Sequence, residues 1–388
     1  MKVSLLTGSV DPHYQLDLLS GLLSQGVRTD FIGSDSMANS SVLRHNNVNF
    51  LNFRGDQSPD APLLQKIYRI VKYYYFLIKY AGETDSKIFH IQWPNKFVYF
   101  DRTILNLYFK LLGKRLIHTA HNINSGERDE NDNILNRLSL RFMYKITDQI
   151  IVHTEKMKSQ LINDFNVRQT KIYVIPHGIN NAVPYTDITQ EQAKKNLNIP
   201  GNKKVLLFFG NITIYKGLDY LLHALGNLKH RDDNLCLLIA GRKKVDNAYW
   251  ESIENIIRKE KLESFIVKHI KYIPDSEIEF YFKSADVLIL PYKNIFQSGI
   301  LFIAYRFGLP VIATDVGSLR EDIIEGKTGY ICRPQDPIDL TEKIELYFKG
   351  DLYRNLEANR YKIIEYANEK YSWEKIGEKT CYLYEKLL

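Results

Sequence analysis

Three short stretches put chemically capable residues where an apolar strand pattern gives way to a turn. In "FFGNITIYKGLDYLL" the run ends at Gly210, a short loop follows, and Lys216-Gly217 opens a helical pattern. A lysine there stands beside helix-start N–H groups that have no intrahelical acceptor, at the positive end of the peptide dipoles, and so is placed to clasp a diphosphate. The alternative is a solvated lysine in an ordinary β-to-α loop. In "NIFQSGILFIAYRFGLPVIATDVGSLRE", Asn294 to Glu321, the residues Gln297, Ser298 and Gly299 lead into the helix "ILFIAYRFG". Ser298 is expected to cap that helix and Gly299 to let an anion approach the backbone, against the plainer alternative of a cap and turn alone. Two such helix starts in one half of the chain carry more weight than one. A third loop, "TDVGSLRE", is expected to take its shape from Gly317.

The first half offers different chemistry. "HTAHN" sets His118, His121 and Asn122 at the end of a strand, and "LTGSVDPH" sets Gly8, Ser9, Val10, Asp11 and His13 at the end of another. In an open parallel sheet such ends share one rim, where ligands bind. Asp11 and His13 are of the right type to reach a substrate hydroxyl. His153 in "IIVHT" and His177 in "IPHGI" also follow strand patterns, and both are expected to pack or to lie at a hinge. The turn "LTGSVDPH" lacks the glycine spacing of a dinucleotide-binding fingerprint, which disfavours a dehydrogenase.

These residues need a scaffold, and the hydrophobic pattern supplies one. Apolar, β-branched runs such as "KVSLLTG", "KIFHIQW", "DQIIVHT", "KKVLLFFGN", "NLCLLIAG" and "ADVLILPY" alternate with helix-period segments from end to end. Repeated β-α order implies parallel sheets covered on both faces by their crossover helices. The region from Asn180 to Lys204, proline-bearing and polar around one short helix, reads as a linker. It divides residues 1–182 from residues 183–371, while the helix at 372–388, with Ser372 placed to cap it, is long enough to pack back on the first domain.

Composition narrows the classes. A chain of 388 residues, 45% hydrophobic, can bury a large core, and two domains are the expectation. The net charge of +7 suits an anionic ligand, a nucleic acid or an acidic membrane face. No Cys/His finger, arginine-rich tail or aromatic RNA-binding signature is present, so nucleic acid is not the expected partner. Cys236, Cys332 and Cys381, odd in number and scattered, read as reduced thiols rather than disulfides or a zinc site. No apolar run approaches the roughly 18 to 20 residues that span a bilayer, and "KVSLLTG" begins without a leader pattern, so a cytoplasmic protein is expected. "KIYRIVKYYYFLIKY" mixes Lys66, Arg69, Lys72 and Lys79 with Tyr73, Tyr74, Tyr75 and Phe76. That suits either a helix lying in an anionic headgroup layer, seating the protein peripherally on the inner face of the cell membrane, or an amphipathic cover for the sheet. Glu127, Asp129, Glu130 and Asp132 in "NSGERDENDN" lack the pattern of a calcium loop, and no essential metal is expected.

The ordered set "TGSVDPHYQLDLL", "HTAHN", "IIVHTEKMKSQL", "VIPHGI", "GNITIYKGLDYLL", "YIPDSEIEFYFKSADVLILPY", "QSGILFIAYRFGLPVIATDVGSLRE" and "EGKTGYICRPQDP" covers nearly the whole chain and resembles the retaining, nucleotide-sugar-dependent glycosyltransferases of family 4. The resemblance implies a GT-B fold, an α/β architecture of two Rossmann-like, doubly wound parallel-sheet domains facing a central cleft. It implies a uridine or guanosine diphosphate sugar as co-substrate, with no further cofactor, and a glycan or lipid-linked saccharide as acceptor. The nucleotide and diphosphate would lie against Gly8, Ser9, Gly210, Asn211, Thr213, Lys216, Gly217, Arg242, Ile273, Tyr292, Gln297, Ser298, Gly299 and Ile300. His121 and Lys216 would act on the donor sugar and its leaving phosphate, and Asp11, His13 and Asn122 would face the acceptor.

Two departures stand out. Many relatives carry paired glutamates where this chain has Ile295 and Ile303, and neither isoleucine can accept a ribose hydroxyl. A branch with "SG" in this loop lacks the pair as well, which implies a variant donor grip. Relatives also often place an arginine ahead of the lysine, where Asn211 and Thr213 stand here; Arg242 of "AGRKK" either compensates or is simply solvated. A sugar-nucleotide epimerase or hydrolase of the same fold, or a catalytically weak nucleotide-sugar-binding subunit, are the alternative readings.

Overall fold

A computed structural model describes residues 1–8, 11–58, 60–124, 126, 132–179 and 183–388. Ser9, Val10, Glu127, Asp129 and Glu130 therefore lie outside the described residues. The chain divides into two compact units, Met1–Gly178 with Tyr371–Leu388, and Ile179–Lys370.

The first unit is built on seven strands, β1 (Lys2–Leu6), β2 (Arg28–Ile32), β3 (Val48–Leu51), β4 (Ile88–Ile91), β5 (Arg115–Thr119), β6 (Gln149–Val152) and β7 (Ile172–Val174). They run in the order β3-β2-β1-β4-β5-β6-β7, and every pairing is parallel. The helices used below are α1 (Pro12–Ser24), α2 (Leu63–Glu83), α3 (Asn106–Leu111) and α4 (Ile134–Ile146). In the second unit β8 (Lys204–Phe209), β9 (Leu235–Ala240), β10 (Ile266–His269), β11 (Val287–Leu290), β12 (Val311–Thr314) and β13 (Gly329–Cys332) form a six-stranded parallel sheet ordered β10-β9-β8-β11-β12-β13. Its key helices are α5 (Leu218–Leu228) and α6 (Gly299–Arg306). The last helix, α7 (Trp373–Glu385), belongs to the first unit.

Each sheet reverses its winding direction once, between β1 and β4 and between β8 and β11. At such a switch point the loops leaving the two neighbouring strands diverge to opposite faces, opening a crevice at the carboxyl ends. Strands β4, β8, β9, β11 and β12 bury nearly every side chain because helices cover both faces, so they read as continuous apolar runs rather than alternating ones. Leu206, Phe208, Leu221, Leu225, Leu237 and Ile289 form the core of the second unit. In the first, Leu5, Phe31, Ile88 and Ile117 pack under α1 and under Trp373, Ile376 and Leu383 of α7. The Ser372 hydroxyl accepts from the Lys375 amide and caps α7. Tyr384 of α7 bonds to Nδ1 of fully buried His90 on β4 at 2.6 Å, and Nε2 of that ring meets the Thr119 hydroxyl at 2.7 Å.

Helix α2 divides its length between the two roles its sequence suggests. Tyr73, Tyr74, Leu77 and Ala81 are buried against the sheet and do the covering. Leu63, Leu64, Ile67, Tyr68, Val71 and Tyr75 face solvent.

Candidate active site

The second switch point holds a buried cation. Strand β8 ends at Gly210, a single turn of 3-10 helix covers Ile214–Lys216, and Gly217 enters α5. Gly217 has φ 68°, and a Cβ on it would stand 1.9 Å from the Pro291 carbonyl oxygen beyond β11, so only glycine lets the two loops meet here. The turn folds Lys216 back over β8 rather than out along α5. Its ammonium makes one long contact to the Phe209 carbonyl, 3.4 Å, and lies 5.8 Å from the centre of the Tyr292 ring. A Cβ on Gly210 would fall 2.7 Å from Lys216 Nζ and 2.6 Å from Ile300 Cδ1, so the lysine and the first turn of α6 converge over this glycine. Lys216 has no ion pair among the described residues, and burial alone pushes its pKa down to about 8. A cation desolvated in this way gains more from an incoming anion than a solvated one would.

The start of α6 differs from the expectation in its cap. Ser298 does not cap α6: its backbone is extended, its side chain makes no capping bond, and its hydroxyl lies instead 3.3 Å from the Tyr292 hydroxyl. The Leu301 amide reaches back to the Ser298 carbonyl, while the amides of Gly299 and Ile300 have no acceptor among the described residues. A Cβ on Gly299 would meet nothing within 4 Å, so the space over those amides is open. The α5 start has no side-chain cap. Asp219 stands in its first turn, bonded to Lys293 at 2.9 Å and to the Tyr249 hydroxyl, and supplies the negative charge that end of the helix favours. At both helix starts read from the sequence, amides without an acceptor among the described residues remain, those of Gly299 and Ile300 at one and that of Leu218 at the other.

The other residues singled out in this unit fall around the same corner. The Thr213 hydroxyl and the Gln297 amide nitrogen are buried and without a partner among the described residues. Asn211 and Arg242 are exposed. Ile273 and Ile303 are both buried to within 8% exposure, so the place of a ribose-binding carboxylate is filled by an aliphatic side chain. Gly317 shapes its turn against the Ile295 and Phe296 carbonyls.

At the first switch point the chemistry is aromatic and uncharged. His121, just beyond β5, stacks on Trp93, just beyond β4, with ring centres 3.8 Å apart and planes 2° from parallel. Tyr14 of α1 meets His121 edge-on at 4.6 Å, and the same tyrosine touches His153, His177 and Trp373. Nδ1 of His121 lies 2.9 Å from Nε2 of His153, whose own Nδ1 lies 3.0 Å from the Ile175 carbonyl. This chain fixes both tautomers. A carbonyl only accepts, so His153 carries its proton on Nδ1; burial holds its pKa near 3, so Nε2 is bare and accepts from Nδ1–H of His121. Burial and the neighbouring His153 hold His121 neutral too, and its Nε2 is left as a bare acceptor, shut from solvent and without a partner among the described residues.

A cavity of about 110 Å³ opens beside these rings, lined by Gln92, Trp93, Arg102, His118, His121 and Asn122. Both polar atoms of the Gln92 side chain, Nδ1 of His118 and Nε of Arg102 are buried there without partners among the described residues. Unpaired buried donors and acceptors of this kind are satisfied by water or by ligand hydroxyls. Gly8 lies against Trp93, and the Asp11 carboxylate accepts from the Tyr14 amide at 3.0 Å, capping α1. Asp11 and His13 are exposed.

The sequence reading brought out His118, His121 and Asn122 but passed over Tyr14, Trp93 and Gln92, and expected His153 to pack or to lie at a hinge. Trp93 ends a strand run just as His121 does, and that shared position was the available signal. Asp132 of the acidic loop bonds to Asn136, and no three His, Cys, Asp or Glu side chains gather as a metal site among the described residues.

Comparison with known proteins places this architecture. Residues 13–183 match the family model described as Glycosyltransferase Family 4, and residues 189–370 match the one described as Glycosyl transferases group 1. The chain belongs to the family 4, group 1 glycosyltransferases, and its fold is of the GT-B type. Among curated relatives, D-inositol 3-phosphate glycosyltransferase of Corynebacterium efficiens is 28% identical over 57% of this chain and 54% of its own length. That of Corynebacterium urealyticum is 26% identical over 70% of this chain and 66% of its own. The chain thus spans a little over half the length of the first of these relatives. Among solved structures, sucrose-phosphate synthase of Thermosynechococcus elongatus superposes with a TM-score of 0.76 at 18% identity, over 100% of this chain and 99% of that one. HepE of Anabaena in complex with UDP gives 0.74 at 15% identity over the full length of both.

Proposed function

We propose that this protein is a retaining glycosyltransferase, of the hexosyl-transferring class, that moves a sugar from a nucleoside diphosphate sugar to a hydroxyl of a glycan or lipid-linked acceptor in the building of bacterial surface polysaccharide. The observation that carries the reading is the unpaired, buried ammonium of Lys216 converging over Gly210 with the open amides of Gly299 and Ile300. In the reaction the bond between the anomeric carbon and the β-phosphate oxygen breaks, and its electron pair goes to that oxygen. Charge therefore develops where Lys216 and the α6 amides lie, so they stabilise the transition state more than the ground state. The acceptor oxygen attacks from the face the phosphate leaves, and its proton passes to the departing phosphate. His121, neutral and bare at Nε2, accepts a hydrogen bond from a hydroxyl of the transferred sugar rather than acting as an acid.

A uridine nucleotide is the expected donor, a choice supported by the structures of HepE in complex with UDP and with UDP-glucose. The ribose would rest on Ile303 through van der Waals contact alone. The exposed apolar face of α2, with Lys72 and Lys79 along it, suits a seat on an anionic membrane. Among the described residues no helix is long and apolar enough to cross a membrane. The reading is tested by incubating the protein with UDP-glucose and other sugar nucleotides, with and without polysaccharide or lipid-linked acceptors, and following product by anomeric proton NMR. Acceptor-dependent product of unchanged anomeric configuration is expected. Free sugar or epimerised nucleotide alone, with every acceptor, would overturn it.

A further inference from the structure

The first unit holds a second, larger cavity, apart from the one beside His121. It measures about 490 Å³, lies between the segment that follows β3, the inner face of α2 and the loop after β4, and is lined by four cationic side chains, Arg54, Lys66, Arg69 and Lys96. The placing of two of them follows from helix period: Lys66, Arg69 and Tyr73, spaced three and four apart, share the face of α2 turned to the cavity. Leu63, Leu64 and Ile67 are exposed on the same turns but are not part of the lining.

Charge in this cavity is only partly met from within. Arg69 pairs with Asp56 at 2.6 Å, and Arg54, buried to 6% exposure, lies over the Tyr73 ring at 4.8 Å with the buried Asp101 carboxylate acting on its charge. Lys66 and Lys96 make no ion pair among the described residues. Asn95, also in the lining, has a buried side-chain oxygen with no partner among them. The cavity shares Pro94 as a wall with the smaller one beside His121. A concave site with surplus cations and one waiting hydrogen-bond acceptor fits a ligand that is anionic and bears a hydroxyl.

We propose that this cavity binds the phosphate or diphosphate of the acceptor, leaving the reacting sugar hydroxyl toward His121 across Pro94. The substrate class is thereby narrowed to phosphorylated acceptors, of which a lipid-linked saccharide diphosphate is one source and a soluble sugar phosphate another. The inference rests on the glycosyl-transfer reading for its place in the reaction, but the binding of the anion is testable apart from it.

The experiment measures thermal shift and calorimetric affinity for geranyl diphosphate, inorganic diphosphate, geraniol and UDP, with the wild-type chain, Lys66→Glu/Lys96→Glu and Lys216→Ala. Geranyl diphosphate is expected to bind the wild type and Lys216→Ala alike and to lose about tenfold or more in affinity in the double variant, the scale of losing charge-assisted contacts. UDP is expected to bind the double variant as it does the wild type, which also shows that variant to be folded. Inorganic diphosphate binding as tightly as the geranyl compound supports the anion site with a soluble acceptor. A clear gain from the geranyl chain supports it with a lipid one. Geranyl diphosphate binding lost in Lys216→Ala but kept in the double variant would place the anion in the donor site and overturn the assignment, as would binding of geraniol alone or no binding. Failure of UDP to bind the wild type would count against the transfer reading while leaving the anion site to be judged by its own arms.

Discussion

The two switch points have the same strand order and opposite chemistry. In the second unit the crevice between β8 and β11 is set with a desolvated ammonium, glycine turns and open amides, all suited to negative charge. In the first, the crevice between β1 and β4 is set with stacked rings, neutral imidazoles and unpaired amide and imidazole atoms, which suit hydroxyls. The topology supplies a place at the carboxyl ends of the strands; the residues just past each strand decide what can be held there.

The sharpest way to break this contrast is to remove the charge. Lys216→Ala is expected to lower turnover at least about a hundredfold, the scale for one donor placed where charge develops, and near-normal turnover would end its assigned role. Because its pKa is depressed to about 8, the free enzyme's grip on a nucleoside diphosphate should weaken as pH rises through that value, a limb that Lys216→Arg removes. The stability sign is the reverse. Between about 8 and the model-compound value near 10.5 the unfolded chain holds more protons than the folded one, so the ligand-free protein gains stability, by roughly 3 kcal/mol at most, as pH rises through that window. Comparing melting temperatures of the wild type and Lys216→Met across that range checks the direction.

The hydroxyl side is tested through His153, which acts by holding His121 in one tautomer. His153→Phe is expected to cost about tenfold in kcat/KM, the worth of one hydrogen bond to a substrate hydroxyl. His153→Gln should recover most of it, since an amide can donate to the Ile175 carbonyl and accept from His121. Nitrogen-15 NMR of the His121 ring gives the independent readout: an unprotonated Nε2 in the wild type, and a mixture in His153→Phe. A protonated Nε2 in the wild type would remove the basis of the contrast.

The smallest effect is expected at Asp11. Asp11→Asn keeps the cap on α1 and should leave the melting temperature unchanged, while Asp11→Ala costs about 1 kcal/mol. If the exposed carboxylate also meets the acceptor, Asp11→Asn alone will raise the KM for acceptor; an unchanged KM leaves it a helix cap.

How much of this was legible beforehand depended on whether a feature is local in the chain. The strand runs and glycine loops are local, and the parallel sheets followed from their period. Asp219 is visible three residues past Lys216, yet its pairing depends on Lys293 and Tyr249 arriving from other elements. Ser298 has the residue type of a cap, but Tyr292 at the end of β11 captures its hydroxyl. The His153–His121 bond requires β5 and β6 to be neighbours, a fact of strand order that the residues themselves do not state.

The return of α7 to the first unit bears on how the protein is made. Tyr384 anchors on His90 and Trp373 closes one side of the ring cluster around Tyr14. During synthesis this half of the molecule must therefore wait, its sheet already emerged but one wall missing, until the whole of the other half has left the ribosome. A fragment ending at Gly178 would hold every strand of its sheet and still lack the surface that backs its imidazoles.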